Sequence, residues 1–393
     1  MRRVYLDHIA ATPLEPDVLK AMLPYLGDKY GNPQSLHSTG QEALEAVDEA
    51  RSQVASLIGA DQSDVFFTSS GSETNNFAVK GMSLARRERG NHIVLSAIEH
   101  QSVLHSAKSL EKSGFSSTLV PVDKQGLIDP EDVRRAIKKE TVLVSVMLAN
   151  SEVGTVEPVA EVVKVCRSLG IPVHTDAVAA VGNIQVDVKD LGVDALSLAG
   201  DQFYGPKGSA ALFLKKGTRI LPFIDGGIQE GGRRAGTENV AGIVGLGKAA
   251  EIAAAKLSVR MEKSRPLRDK LIDLLPRRVE HVVLTGHREK RLPHHASFCF
   301  EFIEGEAMLL NLDMKGIAGS SGSACTSRAL KASHVLLAMG IDHALAQGSL
   351  VFSLIEQTTG EDIDYLLDVF PPIIERLRKM SPLFTKFLEE SKR

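Results

Sequence analysis

The chain has 393 residues, 46 Lys and Arg against 49 Asp and Glu, and a formal net charge of -3. A single hydrophobic core stops growing at roughly 250–300 residues, so one large domain and a smaller one are expected. With 43% hydrophobic and 24% charged residues, the composition is that of a globular protein; no apolar run reaches the ~20 residues of a bilayer span, and the balanced charge offers no global field for nucleic acid. Membrane and nucleic-acid roles drop out as leading readings, and the basic cluster Arg288 to Arg291 reads as a solvated face. Met1 and two arginines run into "VYLDHIAATPLEP", which lacks an apolar signal core, so a cytoplasmic location is expected.

In chain order, apolar β-branched runs predict strands at "DVFFTS" (64–69), "HIVLSA" (92–97), "TVLVSVML" (141–148), "IPVHTD" (171–176), "DALSLA" (194–199) and "AALFLK" (210–215). Amphipathic stretches between them, such as "DPEDVRRAIKKE" and "VAEVVKVCRSLG", open on an acid or proline, and the second closes on Gly170. This alternation predicts a mainly parallel α/β sheet with helices on both faces. A long helical run follows, and then strands at "HVVLTG" and "HASFCFEFI" with helices to the end. The expected division is a large α/β domain over 16–252 and a small α+β domain formed by 1–15 and 253–393.

Ligands of open α/β sheets sit outside the carboxyl ends of the strands. "FTSSGSETNNFAVKG" is hydroxyl-rich where a strand gives way to a helix, so backbone N–H groups at Gly71 and Ser72 suit a phosphate; ordinary helix capping is the competing reading. Asp176 ends a hydrophobic strand, where a carboxylate caps a turn or meets a protonated ring nitrogen. His100 and Asn150 follow neighbouring strands, and the four together favour a ring-plus-phosphate ligand.

Three cysteines fit no disulfide framework and no CxxC metal pattern. Cys166 falls in a helical pattern and Cys299 alternates into a strand, whereas Cys325 stands in the Gly/Ser-rich "GIAGSSGSACTS". Of the three, Cys325 is the candidate reactive thiol.

The segments "YLDHIAATPLEP", "YGNPQSLH", "FTSSGSETNN", "AIEHQSV", "ANSEVGTVEP", "HTDAVAAVG", "GPKGSAAL", "GGIQEGGRRAGTENV", "EGEAMLLNLD" and "SSGSACTS", in this order, resemble the cysteine desulfurases of the NifS/IscS group, in aminotransferase class V. The resemblance implies the pyridoxal phosphate (PLP) aminotransferase-type fold, with a seven-stranded mainly parallel sheet and a smaller domain carrying the Cys325 loop. It also implies PLP held through its phosphate by Gly71 and Ser72, with Thr237 reaching in from a partner subunit of a homodimer. His100 would stack on the ring, Asn150 meet the ring oxygen, Asp176 pair with the ring nitrogen and Val178 pack beneath it. Cys325 matches the family's persulfide-carrying cysteine, and its thiolate also suits iron of a nascent iron–sulfur cluster; the resemblance places scaffold-protein docking near the C-terminal "IIERLRKMSPLFTKFLEESKR", for which a solvated amphipathic helix is the competing reading.

The departures fall on one activity. The family's serine, histidine and Schiff-base lysine correspond to Ala199, Asp201 and Gln202; its ring-oxygen glutamine to Ala179, its N-terminal asparagine to His8, and its substrate-carboxylate arginine to Val351. Gln202 cannot bond covalently to the cofactor, and Lys207, beyond a Gly-Pro turn, is a poor substitute. Three readings follow: an assembly protein that keeps Cys325 while PLP-dependent desulfuration is impaired or lost; an active desulfurase with non-covalent PLP; and a structural or regulatory partner of a true desulfurase.

Overall fold

A computed structural model describes residues 2–321 and 332–391; Cys325 lies outside the described residues. β1 (Val4–Tyr5), α1 (Pro16–Leu26) and α2 (Ser38–Leu57) lead into the alternating region. There follow β2 (Val65–Thr68), α3 (Gly71–Ala85), β3 (His92–Ser96), α4 (Gln101–Leu110), β4 (Ser116–Val120), α5 (Pro130–Ala136) and β5 (Thr141–Ser145). Next come α6 (Val159–Ser168), β6 (Val173–Asp176), α7 (Val188–Leu191), β7 (Ala195–Ala199), β8 (Ala210–Leu214) and α8 (Gln229–Gly232). The long α9 (Val240–Arg278) precedes β9 (Val282–Leu284), β10 (His295–Phe300), α10 (Gly305–Asp313) and β11 (Ile317–Ala318). The chain ends with α11 (His334–Ala338), α12 (His343–Gln347), β12 (Ser349–Ser353), α13 (Gly360–Lys379) and α14 (Pro382–Glu390).

The seven-stranded sheet has the order β2-β8-β7-β6-β5-β3-β4. Pairing is parallel from β7 through β4, and β8 runs antiparallel to both β7 and β2. All six strands read in this region from the sequence are present. The seventh, β4, has no continuous apolar run because it lies at the sheet edge: Leu119 is 52% exposed and only Val120 of the strand is buried. The central strands β5 to β8 are buried along their whole length, as strands covered on both faces must be.

Helix α9 ties two cores together. Its first half sends Ile243, Leu246, Ala250 and Ala253 into the core built with Val47 and Val54 of α2. Its last turns send Leu271, Ile272 and Leu275 into a second core around Phe298, Phe300, Phe352 and Phe370. The approach to α2 is close enough that a Cβ on Gly247 would lie 2.5 Å from the Ala50 Cα.

The N-terminal segment straps both cores. β1 pairs in parallel with β11, while Thr12 N–H donates to the Asp201 carbonyl (3.0 Å) and Thr12 Oγ1 accepts from Tyr204 N–H (2.8 Å). The turn after β7 is thus fixed from outside the sheet.

The reading of Arg288 to Arg291 as a solvated face holds for Arg288, Glu289 and Lys290, which are exposed, but not for Arg291. Arg288 is exposed and pairs with Asp273, but Arg291 is 5% exposed and donates to the carbonyls of Thr285, His287 and His295. Burial pushes its pKa down to about 9. Its guanidinium satisfies backbone oxygens inside the small core, a use that charge patterning along the sequence does not reveal.

Candidate active site

The loops after β2, β3, β5, β6 and β7 converge on a cavity of about 590 Å³, within the range that holds a small cofactor. At one end, β2 runs directly into α3. Ser70 caps that helix, its Oγ accepting from Glu73 N–H at 3.1 Å, and Gly71 and Ser72 form the first turn, where backbone N–H groups lack intrahelical acceptors. Gly71 must be small, because a Cβ there would meet Val178 Cγ2 at 2.8 Å. Glu73 is held by Ser69 N–H (2.9 Å) and Arg234 Nε (2.9 Å), which fixes the approach to the helix.

Asp176 ends β6 with 5% exposure. Its Oδ1 accepts from Val178 N–H at 3.0 Å and its Oδ2 from Asn75 Nδ2 at 2.6 Å. Burial raises its pKa, while the charge of His100 and the two hydrogen bonds oppose the rise. His100 caps α4, with Nδ1 2.7 Å from Ser102 Oγ, and that Oγ accepts from Asn75 Nδ2 at 2.9 Å. A continuous polar chain therefore runs from His100 through Ser102 and Asn75 to Asp176. The linking role of Asn75 was not read from the sequence, although the residue stands in the quoted "FTSSGSETNN".

Asn150 lines the cavity with its amide already engaged. Nδ2 donates to the Ile98 carbonyl (2.9 Å), and Oδ1 accepts from Glu152 N–H (2.8 Å) and Val153 N–H (3.0 Å), so it shapes the loop after β5. Gln202 is 8% exposed, and its Nε2 donates to the Ile9 carbonyl at 3.2 Å. Behind it, His8 Nε2 lies 2.9 Å from the Gln202 carbonyl and Nδ1 lies 3.1 Å from the Leu354 carbonyl; burial pushes its pKa down to about 4, so at pH 7 the ring is neutral and its single N–H donates to one of the two. Ala179, Ala199 and Asp201 line the cavity; burial raises the pKa of Asp201. Val351 is buried in β12, while Lys207 and Thr237 are exposed, and none of these three lines the cavity of one chain.

Two further acids at the site were not read from the sequence. Glu99 is fully buried, and Glu152 meets the hydroxyl of Ser333; burial raises them to about 8 and about 7. Their strand-end positions were legible, but their desolvation depends on the folded surroundings. The lining thus holds four carboxylates, those of Glu99, Glu152, Asp176 and Asp201, and no Lys or Arg among the described residues. Ser320 and Ser321 on one side, and Ala332 and Ser333 on the other, also line it, so the described chain leaves and returns at the cavity wall on either side of Cys325.

The donor set fits PLP at two ends. Asp176 offers a desolvated acceptor to a ring N–H, and the start of α3 offers N–H donors to a phosphate. The middle of the cavity offers the side-chain amide of Gln202.

Residues 4–366 match the family described as Aminotransferase class-V, whose members use PLP. The chain is 48% identical over 381 residues to a cysteine desulfurase IscS of Dictyoglomus turgidum, covering 97% of each chain. It is 48% identical over 390 residues to a cysteine desulfurase IscS of Clostridium botulinum, covering 99% of this chain and 98% of the other. Among solved structures, a NifS-like protein superposes with a TM-score of 0.90 at 37% identity, over 96% of this chain and 100% of that one.

Proposed function

The chain belongs to the cysteine desulfurase IscS family of aminotransferase class V, and from that premise we propose that it is a cysteine desulfurase that holds PLP without a covalent link and passes sulfur through Cys325. The observation that carries this reading is Asp176: a buried carboxylate, oriented by Val178 N–H and Asn75, at the wall of a cavity that also contains the start of α3. A buried carboxylate is stabilised by a cationic partner, which a protonated pyridine ring supplies. Bound PLP draws electrons away from the bonds at the substrate's α-carbon. In this chain Asp176 would hold the ring proton, His100 and Val178 would flank the ring, and Gly71 and Ser72, with Thr237 of a second copy, would hold the phosphate.

With Gln202 at the end of β7, no lysine amine is present there to anchor the cofactor or move a proton. General acid–base help is worth roughly 10²- to 10⁴-fold in rate, so turnover is expected to be slow. The Cys325 thiolate would attack the sulfur of cysteine as the substrate's Cβ–S bond breaks, the remainder would take up a proton and leave as alanine, and Cys325 would carry the sulfur as a persulfide to an iron–sulfur scaffold protein, in a homodimer.

A second reading has a specific observation in its favour. The absence of Lys and Arg from the described lining leaves the phosphate and the substrate carboxylate without a cationic contact from one chain. In that reading desulfuration is lost, and Cys325 accepts sulfur from another donor or ligates iron for the scaffold.

The test is Cys325 persulfide formation from cysteine by purified protein with added PLP, and sulfide release when a thiol reductant is also supplied. PLP-dependent persulfide, lost in Cys325→Ser, is the expected result. No persulfide from cysteine, with Cys325-dependent cluster transfer still present in a reconstituted mixture, would overturn desulfuration and leave the second reading. Cluster transfer indifferent to Cys325→Ser would leave only a structural or regulatory partner.

A further inference from the structure

At the sheet edge opposite the cofactor cavity, where β5, β6 and β7 begin and β8 ends, the surface changes sign. Two clefts of about 620 and 500 Å³ adjoin there, sharing Arg86, Arg89, Gly170 and Ile171. Nine Lys and Arg line them against two carboxylates, Glu88 and Asp194, in a chain whose formal charge is -3.

Helix ends explain part of this charge. Arg86 follows α3 and donates to the Gly170 carbonyl (3.2 Å), and Arg167 near the end of α6 donates to the Gly192 carbonyl (3.1 Å), both favourable to helix dipoles. Arg134 pairs with Glu131 on its own helix. The other six, Arg89, Lys138, Lys139, Lys215, Lys216 and Arg219, are exposed and make no ion pair or side-chain hydrogen bond among the described residues. Holding so many like charges together without partners destabilises the fold unless something else offsets it.

Arg86 supplies a second, independent observation. Its Nε–H is buried without an acceptor, although Arg86 lines both clefts. Burial lowers its pKa, as do Arg89 and Arg219, with Asp194 opposing.

We propose that this double cleft binds a linear polyphosphate anion. Guanidinium groups match phosphate oxygens in bidentate fashion, and five of the nine cations are arginines. Two adjoining clefts suit a chain of phosphates better than a single one. Among the described residues no aromatic side chain lines either cleft, so a nucleobase finds no stacking platform there. A protein partner would need apolar or aromatic anchors, and among the described residues Leu169, at 48%, is the one large apolar side chain that the lining exposes. The site is separate from the cofactor cavity, with which it shares no lining residue.

The test is calorimetric titration of the full chain with inorganic tripolyphosphate, orthophosphate and ATP. Tripolyphosphate is expected to bind well below about 1 mM, to weaken as salt rises from about 50 to 200 mM, and to bind much more tightly than orthophosphate. Arg89→Glu combined with Arg219→Glu should weaken it by at least about tenfold while circular dichroism and melting temperature stay unchanged. Should that pair disturb folding, Arg89→Gln combined with Lys216→Gln is expected to give the same direction with a smaller loss. ATP binding no tighter than tripolyphosphate fits the proposal. It is overturned by absence of binding at low salt, by binding indifferent to both pairs, by displacement with PLP, or by a tenfold preference for ATP.

Discussion

Replacing Glu99 by glutamine should make the protein more stable at high pH and nearly neutral in effect at low pH. Glu99 is 0% exposed; its Oε1 accepts from Ser96 Oγ (2.6 Å) and Met147 N–H (2.7 Å), while its Oε2 has no partner. Burial is the main cause that raises it from an ordinary 4.5 to about 8, helped by the charges of Asp176 and Glu157 and opposed by the two hydrogen bonds. The folded state therefore binds a proton that the unfolded chain has released over this range, so stability is full below about pH 4.5 and falls as pH rises towards 8. At about 1.4 kcal/mol for each pH unit, the ceiling on the loss is roughly 5 kcal/mol, with about 3.5 kcal/mol of it above pH 5.5. Glutamine keeps the Oε1 acceptor and removes the titration. Urea unfolding of both proteins at about pH 5.5 and 9 should show the variant gaining about 2 kcal/mol or more on the parent between the two conditions. A gap that stays constant within about 0.5 kcal/mol would mean that Glu99 ionises as an ordinary carboxyl, and the argument from its burial would fail.

Gln202→Lys should retain PLP through gel filtration with a visible absorption band, and raise sulfide release from cysteine by roughly 10²- to 10⁴-fold if proton transfer is the missing step; an unlabelled, colourless variant would contradict the assignment of this position. Asp176→Asn should weaken PLP binding by about 10- to 100-fold in an absorbance titration, the scale of a lost hydrogen bond to a charged group; unchanged affinity would remove Asp176 from the ring-nitrogen role. Glu230→Ala should cost about 3–5 kcal/mol in urea unfolding, because it leaves Arg51 charged and nearly buried. Glu230 accepts from Arg51 Nη1 and Nη2 at 2.7 and 2.9 Å and from Phe67 N–H at 2.9 Å, so an effect below about 1 kcal/mol would show that the pair is solvated.

The order of elements was legible because buried parallel strands need unbroken apolar runs, and "TVLVSVML" and "DALSLA" supply them. β4 escaped notice for the converse reason: an edge strand with exposed Ser116, Ser117 and Leu119 has no such run. Strand ends located Asp176, His100, Gly71 and Ser72 because the ligand rule for open sheets depends only on topology. Cys166 and Cys299, which the sequence pattern sets in a helix and a strand, are both buried, and burial pushes both thiols up to about 12.

The sequence by itself determined which residue types stand at each strand end, including Gln202 and Asp201 after β7, since these are facts of order along the chain. Only the tertiary structure decided their electrostatics. Glu99 and Glu152 become raised acids, Asn150 and His8 turn to carbonyls of the scaffold, and cations from four separate segments gather at the opposite sheet edge. Desolvation and charge–charge coupling act through space over a few ångströms, and separation along the chain does not record which groups folding brings that close.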